Sequence, residues 1–451
     1  MHPKYINKCR VCGSPILAEV VDLGQQCLQG AFRKEGVIEP PRRMLPTKLV
    51  RCDVTANHDA CGLVQLGHTF PPEVLYSNYW YKSGTNQTMR SHLAAIVDAT
   101  CASIDNRSNL TVLDIGCNDG TLLSSYPDGT KMFGVDPSDI ANSASEEIGF
   151  SLANDVFPSE ASSAVIGDTK FDIVTSIAMY YDLEDPVGFA RDIKSVLKDD
   201  GIWVVEMSYM PLMLLQNSFD TICHEHLEYY SLAVLEYIFK QAELRVFKAE
   251  INDINGGSIR CYVTSAANAN RGTTEDANYL RRLRMREFDM ELDTEDCYAR
   301  FRTQIHRLRE ETRTLLYDIR SQGKVIHIYG ASTKGNVLLQ WYGIDCLIAE
   351  AAADRNPDKD GAYTLGTDIP IMSEEKSRAK NPDYYLVLPW HFKREFLTRE
   401  REIIDKGTQL IFPLPELLIV NKDNVDDILE KMDGSKGSQS MGQDLEALLW
   451  K

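Results

Sequence analysis

The segment VLDIGCNDG, residues 112–120, determines how the central part of this 451-residue chain folds. A short apolar run ends here in a glycine-rich turn, and a second apolar run, MFGVDPS (132–138), ends at an acid. The runs FDIVTSIAMYY (171–181) and GIWVVEM (201–207) follow at strand-like intervals. Strands that alternate with helical segments in this way predict a parallel, doubly wound α/β sheet.

The glycine turn has the features of a nucleoside-binding site. Gly116 lets a ligand approach the backbone, and Asp136 at the end of the second strand can hold ribose hydroxyls. A dinucleotide fingerprint needs GxGxxG, whereas this turn lacks the middle glycine and carries Asp119 where a pyrophosphate would be repelled. Asp114 and Asp119 instead complement the sulfonium and ammonium groups of S-adenosylmethionine. The turn therefore predicts a class I methyltransferase domain with a Rossmann-like sheet, and not a dehydrogenase.

A ligand-free turn is the alternative, and the later acid at position 155 argues against it. The predicted cofactor-binding residues of this region are Asp114, Gly116, Asn118, Asp119, Gly120, Asp136, Pro137 and Asp155.

Cysteines near the N-terminus have a spacing typical of metal ligands. Cys9 and Cys12 form a Cys-x-x-Cys pair, and Cys52 and Cys61 add two more thiols. Four thiolates saturate a tetrahedral zinc ion and leave no open position, so we predict a structural zinc without a catalytic part. The second pair is separated by eight residues, and His58 is therefore an alternative ligand. Four unligated cysteines is the less favoured interpretation.

A second α/β unit follows from about residue 323. KVIHIYGASTKGN (324–336) predicts a strand, a glycine turn and the start of a helix, and YYLVLPW (384–390) predicts another strand. Glycine amides, a hydroxyl and a cation suit a diphosphate, although a unit without a ligand is nearly as well supported. The residues concerned are Gly330, Ser332, Lys334 and Gly335.

Changes in composition along the chain predict its domains. The acidic balance, 66 Asp and Glu against 48 Lys and Arg, gives a net charge of -18 and disfavours nucleic acid or a membrane surface as partner. No apolar run is long enough for a membrane span and no signal peptide is recognisable, so we expect a cytoplasmic protein. The oligomeric state stays open, with a monomer as one option. The predicted divisions are a zinc-binding module (1–75), a methyltransferase domain (76–270), a helical connector (271–322), a Rossmann-like substrate-binding domain (323–432) and a flexible tail (433–451).

The stretch ICHEHLEYY, residues 222–230, brings two histidines and an acid together. They suit metal binding, proton transfer or an ordinary strand. Histidine is the natural base near neutral pH, and a carboxylate can fix its tautomer. The helical HExxH spacing is absent and no third ligand is near in sequence, so proton transfer ranks first, structure second and metal last. In an extended segment His224 and His226 would project to one side and Glu225 to the other.

With these motifs the chain resembles the C-methyltransferases that modify nucleotide-linked 4-keto deoxysugars. The resemblance covers the chain from Cys9 to about residue 420 and implies the predicted domain order. It also implies methyl transfer from S-adenosylmethionine, by way of an enolate, to a carbon beside the keto group, with C-3 preferred. The matching segments are CRVCG (9–13), YWYKSGTNQTM (79–89), VLDIGCNDG, ICHEHLEYYSL (222–232), NGGSIR (255–260), YGASTKGNVLLQ (329–340), DRNPDKDG (354–361) and YLVLPW (385–390).

The resemblance also implies roles for individual residues. His226 would be the base, Glu225 its partner, and His224 a pocket residue for the enolate oxygen or the sugar, while Tyr181 and Tyr229 would hydrogen-bond to the sugar. The segment around residue 82 would fold over the methyl donor. The residues implied there and in the substrate pocket are Tyr79, Tyr81, Ser83, Gly84, Thr85, Asn255, Gly256 and Gly257.

Three positions depart from the family pattern and leave the exact sugar open. Relatives commonly carry Tyr at the position of Cys223, an acid at that of Lys82 and His at that of Tyr181. An O- or N-methyltransferase is the alternative among enzymes. A zinc-containing binding protein on a degenerate methyltransferase fold is the alternative outside them.

Overall fold

Three sheets of four or more strands organise the chain. Each lies in one of the three predicted domains, and a pair of long helices separates the second from the third. Tyr79 and Tyr81 lie outside the described residues, and their roles stay predictions. The computed structural model describes residues 3–36, 43–71, 75, 82–104, 109–434 and 445–450.

The N-terminal domain is built mainly from antiparallel strands. The two longest pair along most of their length, Leu17 opposite Cys52 and Gln26 opposite Leu45. This pairing carries Cys52 back to the level of the first cysteine pair. The strands are β1 (Lys4–Tyr5), β2 (Leu17–Gln26), β3 (Phe32–Arg33), β4 (Leu45–Cys52), β5 (Val64–Leu66) and β6 (His68–Thr69).

The central domain contains the predicted doubly wound sheet. Its first strand is apolar and buried because helices cover both faces of the sheet. The strands are β7 (Thr111–Ile115), β8 (Lys131–Val135), β9 (Ser151–Ala153), β10 (Phe171–Ile177), β11 (Leu197–Ser208), β12 (Glu228–Tyr229), β13 (Leu244–Asn252) and β14 (Ser258–Ser265). The helices are α1 (Gln87–Ala102), α2 (Ile140–Ile148), α3 (Glu160–Ile166), α4 (Pro186–Val196), α5 (Met210–Leu215) and α6 (Leu232–Gln241).

The strand order of this sheet is β13-β14-β11-β10-β7-β8-β9, and β14 runs antiparallel to both of its neighbours. The other adjacent pairs are parallel. The order reverses between β7 and β10, which makes the carboxyl ends of these two strands the topological switch point. Ligands of open α/β sheets bind at this point.

Two helices, α7 (Thr274–Asp289) and α8 (Asp296–Ser321), form the predicted connector. Buried residues recur every three to four positions along α8, from Cys297 to Ile319, as expected for an amphipathic helix.

The C-terminal domain is a second doubly wound unit. Its sheet order is β18-β16-β15-β19-β20-β21, parallel except for the last pair, so its switch point lies between β15 and β19. The strands are β15 (Ile326–Tyr329), β16 (Ala351–Asp354), β17 (Tyr363–Thr364), β18 (Ile371–Ser373), β19 (Tyr384–Val387), β20 (Gln409–Phe412) and β21 (Leu418–Val420). The helices are α9 (Thr333–Tyr342), α10 (Glu374–Ala379), α11 (Lys393–Arg399), α12 (Arg401–Asp405) and α13 (Val425–Gly434).

Strand pairs also cross the domain boundaries. β12 of the central domain is not part of the central sheet and pairs with β5 of the N-terminal domain, and β17 pairs with β3. A last helix, α14 (Leu445–Leu449), lies within the predicted tail and buries Leu445 and Leu449 against the central core. Within the described ranges, no helix has the length and apolar character needed to cross a membrane.

Candidate functional site

Four thiols of the N-terminal domain converge on one point. All four Sγ atoms lie within 4.8 Å of one another, and the shortest separations are 3.4 and 3.6 Å. A tetrahedral zinc ion with Zn–S bonds of about 2.3 Å holds its sulfurs about 3.8 Å apart, so the set fits zinc. His58 is exposed and outside the set, and the ligands are therefore sulfur only. The four residues are Cys9, Cys12, Cys52 and Cys61.

The predicted donor turn lies at the switch point of the central sheet, directly after β7. Gly116 has φ +80°, a left-handed conformation that favours glycine, and its N–H donates to Val135 O at 2.8 Å. A Cβ atom on Gly116 would lie 3.2 Å from Met179 Cγ. Backbone conformation and a close neighbour after β10 therefore both require glycine at this position.

Two carboxylates stand behind the turn. Asp136 accepts the N–H groups of Asn118 and Ser138, each at 2.8 Å, and a carboxylate retains further lone pairs for ribose hydroxyls. Asp114 is buried and accepts the Thr175 hydroxyl at 2.6 Å. Burial raises the pKa of Asp114 to about 7, the bond from Thr175 lowers it, and Asp136 raises it again. A cationic donor would compensate this buried negative charge.

Asp119 binds a neighbouring loop of the protein, and its contact with the donor stays a prediction. One oxygen accepts the Gly84 N–H at 2.7 Å, and the other accepts the Thr121 hydroxyl at 2.6 Å. The Asn118 side chain accepts the Ser83 N–H at 3.0 Å. These bonds hold the loop against the donor turn, where the resemblance placed it.

Three other residues predicted to bind the donor lie around the same edge of the sheet. Pro137 follows Asp136 and is exposed, and Asp155 follows β9 and is partly exposed. The Asn154 side chain donates to Asp136 O at 2.9 Å, which holds the segments after β8 and β9 together. Thr85 is exposed at the end of the loop that contacts the turn. Their contacts with the donor stay predictions.

Packing and backbone conformation both favour glycine at two of the predicted binding positions. Gly120 has φ +68° and Gly257 has φ +121°. A Cβ on Gly120 would lie 2.6 Å from Ile148 Cδ1, and one on Gly257 would lie 2.9 Å from Leu212 Cδ1. Both neighbours are apolar side chains of helices in the central domain. The contacts of these glycines with a ligand stay predictions.

The segment after β10 connects the donor turn to the HEH stretch. Met179 faces Gly116, and the Tyr181 ring centroid lies 4.2 Å from that of His226. The N–H of Leu227 also donates to Tyr181 O at 2.8 Å. Met179 and Tyr181 are two positions apart and therefore at most about 7 Å from each other along the chain, so the donor turn and His226 lie close together. The sequence motifs did not single out Met179.

His226 is a neutral imidazole with one nitrogen available. Its Nδ1 lies 2.9 Å from Thr221 O, and a carbonyl only accepts, so Nδ1 carries the proton. In the described part of the chain no group hydrogen-bonds to Nε2. Burial lowers the pKa of His226 to about 3, Lys334 lowers it further, and the bond to Thr221 opposes both. The Nε2 lone pair is therefore free near neutral pH, as a general base requires.

Glu225 does not orient His226. Its carboxylate turns towards the N-terminal domain, where a Cβ on Gly30 would lie 2.0 Å from Glu225 Oε1. Burial raises the pKa of Glu225 to about 7, and a hydrogen bond with the Cys223 thiol lowers it. The backbone bends at residues 224 and 225, and the bend turns this carboxylate away from His226. The predicted pairing is corrected accordingly, because a backbone carbonyl takes the place of the carboxylate.

His224 anchors the HEH stretch to the N-terminal domain. Its Nε2 lies 3.2 Å from both Pro46 O and Thr47 Oγ1, and its ring packs edge-on against Phe70 with centroids 5.0 Å apart. The backbone N–H of His224 donates to Gln29 Oε1 at 3.1 Å. These contacts and its complete burial correct the predicted role as a pocket residue.

The remaining residues of the predicted sugar pocket separate into two groups. The Tyr229 hydroxyl donates to Thr221 O at 3.2 Å, which corrects its predicted bond to the sugar, whereas Tyr181 faces His226. Among the departures from the family pattern, Cys223 is completely buried. Lys82 is exposed, with Nζ 3.8 Å from a carboxylate oxygen of the C-terminal domain.

The glycine turn of the C-terminal domain is largely closed by protein groups. The Ala331 N–H donates to Asp354 Oδ2 at 2.7 Å, and the Gly335 N–H donates to Ser332 Oγ at 3.1 Å. A Cβ on Gly330 would lie 2.6 Å from a proline that follows β19. Because these amides already have partners, the structure argues against the diphosphate contact predicted for the turn.

The lysine of this turn points across the domain boundary. Lys334 Nζ donates to Asn255 O at 2.6 Å. A Cβ on the adjacent Gly256 would lie 3.4 Å from the Trp390 ring, and Trp390 Nε1 donates to Asp220 Oδ2 at 2.9 Å. The structure thus brings together predicted substrate residues of two domains and adds two that were not predicted, Trp390 and Asp220.

A buried ion network near the end of β11 was also not predicted. Glu206 lies 2.6 Å from His92 Nε2 and accepts from Arg260 Nε at 2.8 Å and from the Asn252 side chain at 2.9 Å. Burial alone would raise the pKa of Glu206, but Arg260 and His92 outweigh it and lower the value to about 2. The network ties α1 to the sheet edge, and no local motif signals it.

Comparisons with known proteins agree with the domain order. Family models match a zinc binding domain over residues 9–76, a methyltransferase domain over 86–249 and the C-methyltransferase C-terminal domain over 253–415. The C-methyltransferase NovU of Streptomyces niveus is 28% identical over 423 residues, which are 93% of this chain and 98% of that protein.

Solved structures share similarity over a smaller part of the chain. An S-adenosylmethionine-dependent methyltransferase from Clostridium acetobutylicum ATCC 824 is 15% identical with a TM-score of 0.31, covering 39% of this chain and 92% of that one. Magnesium protoporphyrin IX methyltransferase from Synechocystis PCC 6803 is also 15% identical with a TM-score of 0.31, covering 41% and 90%.

The sheet order, the donor turn, the four-thiol site and the three consecutive family matches agree with one another. The residues present suit S-adenosylmethionine as methyl donor and zinc as a structural ion. The chain therefore has the domains of an S-adenosylmethionine-dependent C-methyltransferase: a zinc-binding domain, a methyltransferase domain and a C-methyltransferase C-terminal domain.

Proposed function

We propose that the protein methylates C-3, beside the 4-keto group of a nucleotide-linked deoxysugar, by way of an enolate. The proposal rests on His226, which is a neutral imidazole. The segment that contacts His226 through Tyr181 also contacts the donor turn through Met179. A carbon beside a ketone holds its hydrogen as a weak acid and needs a base to release it. Transfer of a methyl group to oxygen or nitrogen requires no such step.

His226 would act through Nε2. The proton of the substrate carbon passes to this nitrogen. The Nδ1–H keeps its hydrogen bond to Thr221 O, and this bond stabilises the imidazolium that forms. The Tyr229 hydroxyl on the same carbonyl holds Thr221 O in place. When bound, S-adenosylmethionine supplies the methyl group. The domain contacts made by His224 and Glu225 would keep the short segment rigid during proton transfer.

The contact between the C-terminal switch point and the central domain supports a nucleotide-linked substrate. Doubly wound sheets bind ligands at their switch points, and that of the C-terminal domain borders the loop between β13 and β14 of the central domain. Lys334 and Trp390 come from the C-terminal switch point and contact Asn255 and Gly256 of the central domain. The class of sugar itself comes from the sequence resemblance.

Product analysis tests this function. Incubation with S-adenosylmethionine and a nucleotide-linked 4-keto-6-deoxysugar should give a product heavier by one CH₂ unit, with the new methyl group on C-3 by NMR. His226→Asn should abolish the product and keep the affinity for S-adenosylhomocysteine measured by calorimetry, because His226 is not part of the donor turn. Normal turnover by this variant would disprove the assignment of the base.

Other products would identify the alternatives. A methyl group on oxygen or nitrogen, with no exchange of the C-3 hydrogen, would favour an O- or N-methyltransferase. A chain that binds neither the donor nor its by-product would be a binding protein on a degenerate fold.

A further inference from the structure

Three side chains that the HEH motif does not explain share a recess with His226. Lys334 and His391 come from the C-terminal domain, and Asp220 precedes the residue whose carbonyl holds His226. Burial lowers the pKa of Lys334, and it lowers that of His391 to about 3 with Lys334 contributing. His226, Lys334 and His391 nevertheless keep part of their surface accessible. Deep side chains that retain accessible surface are those that line an internal recess.

A continuous path of contacts fixes Lys334 relative to His226. Lys334 Nζ donates to Asn255 O, and the residue after Asn255 lies against Trp390. Trp390 Nε1 donates to Asp220, and Thr221, the next residue, accepts from His226. Asp220 and Thr221 belong to a short 3-10 helix, Phe219–Thr221, and consecutive Cα atoms are about 3.8 Å apart, so the residues that bind Trp390 and His226 are adjacent.

The ammonium of Lys334 has bonding capacity left. An ammonium has three N–H donors, and in the described chain Lys334 uses one of them, at 2.6 Å from Asn255 O. Asp220 is 2% exposed, and its Oδ1 has no hydrogen-bond partner among the described residues. Asp220 interacts with Lys334 electrostatically and favours its charged form. A cation with two remaining donors therefore lies close enough to the base to act on it electrostatically.

We propose that Lys334 stabilises the enolate oxygen that forms when His226 removes the substrate proton. The C–H bond breaks, its electron pair moves towards the carbonyl carbon, and the carbonyl oxygen becomes an oxyanion held by the Lys334 ammonium. The proton goes to His226 Nε2, and Lys334 keeps its own protons. When C-3 takes the methyl group that S-adenosylmethionine supplies, the bond from that methyl group to sulfur would break with its electron pair leaving on S-adenosylhomocysteine, and the oxyanion would return to the carbonyl. This role rests on the proposed function and assigns the charge-stabilising group within it.

A diphosphate contact is the competing role for Lys334. The other groups of its turn argue against that role, because the Ala331 and Gly335 amides are bonded within the protein. A diphosphate would also meet the carboxylate of Asp220 near the same ammonium. A developing single negative charge on one oxygen suits this setting better, since it needs one cation and not a cluster of donors.

Hydrogen exchange without a donor isolates this step. The protein is incubated in D₂O with a nucleotide-linked 4-keto-6-deoxysugar at saturating concentration, and deuterium at C-3 is followed by NMR. Lys334→Gln should slow exchange and methyl transfer in parallel by about a hundredfold to a thousandfold, the usual effect of losing one oxyanion donor. Its affinity for S-adenosylhomocysteine should be unchanged. Lys194→Gln is the matched control, because Lys194 also donates one bond, to Ser265 at 2.8 Å, on a part of the protein away from the recess.

The outcomes separate the two proposals. If the wild type exchanges and Lys334→Gln exchanges at the same saturated rate with only a higher KM, Lys334 binds the nucleotide and this inference is wrong. If the wild type does not exchange C-3 at all, the proposed function and the inference both fail. Partial rescue by Lys334→Arg, which restores the charge, would support electrostatic stabilisation over a packing role.

Discussion

Replacing Gly30 with alanine tests the orientation of Glu225. The new Cβ would lie 2.0 Å from Glu225 Oε1 and 3.2 Å from its Cδ, and the nearest other atom is 3.5 Å away. Gly30 has no left-handed backbone conformation, so alanine would introduce no backbone strain. The entire cost of the substitution therefore comes from one buried carboxylate.

The size of the effect follows from this contact. The carboxylate has to move by about 1 Å or more to reach an ordinary van der Waals distance, and overpacking of this kind costs about 1–3 kcal/mol. The entropy that alanine removes from the unfolded chain returns only about 0.4–1 kcal/mol. We expect Gly30→Ala to lower the free energy of unfolding.

A double-mutant cycle in urea provides the assay. The change in the free energy of unfolding caused by Gly30→Ala is measured with Glu and with Ala at position 225. The difference between the two changes is the coupling energy. The cost should vanish when Glu225 is truncated, and the coupling should be about 1–3 kcal/mol. Equal costs in both backgrounds would show that Glu225 does not face Gly30, and the corrected orientation would be refuted.

Three further predictions follow from the titration of the site and from its metal. The kcat/KM for C-3 exchange should not fall between pH 8 and pH 5.5, because His226 has a pKa of about 3 and stays neutral over this range. An ordinary imidazole would lose about nine-tenths of its base form by pH 5.5, so a fall in kcat/KM with a midpoint near pH 6.5 would contradict the prediction. The affinity for S-adenosylhomocysteine should rise from pH 6 to pH 8, because Asp114, with a pKa of about 7, ionises over this range and attracts the ammonium group. Asp114→Asn should remove this pH dependence. An affinity that still rises with pH in the variant would refute the role of Asp114. The purified protein should contain one zinc per chain by atomic emission, and Cys61→Ser should lower the zinc content and the Tm; full zinc in that variant would exclude the four-sulfur site.

Local patterns predicted the parts of the protein that depend on local physics. The alternation of strands and helices gave the doubly wound sheets, because buried parallel strands need apolar runs. The donor turn was recognisable because Gly116 needs a left-handed conformation and a close approach. The zinc ligands were recognisable because thiols in pairs have few other uses in such a chain.

Contacts between distant residues explain what the sequence did not reveal. The partner of His226 is the carbonyl of Thr221, and a backbone group leaves no mark in a motif. Lys334 lies more than a hundred residues from His226 and reaches its recess only through the packing of two domains. The role transferred from relatives paired Glu225 with His226, whereas a bend at residues 224–225 turns both His224 and Glu225 towards the N-terminal domain, which alternation along a strand would not do.

The most direct measurement of the central claim is solvent deuterium incorporation at C-3 of a nucleotide-linked 4-keto-6-deoxysugar, in wild type and in His226→Asn, without any methyl donor. The wild type should label C-3, and the variant should leave it unlabelled while binding S-adenosylhomocysteine with unchanged affinity. Labelling at an equal rate in both proteins would contradict the account, because another group would then be the base.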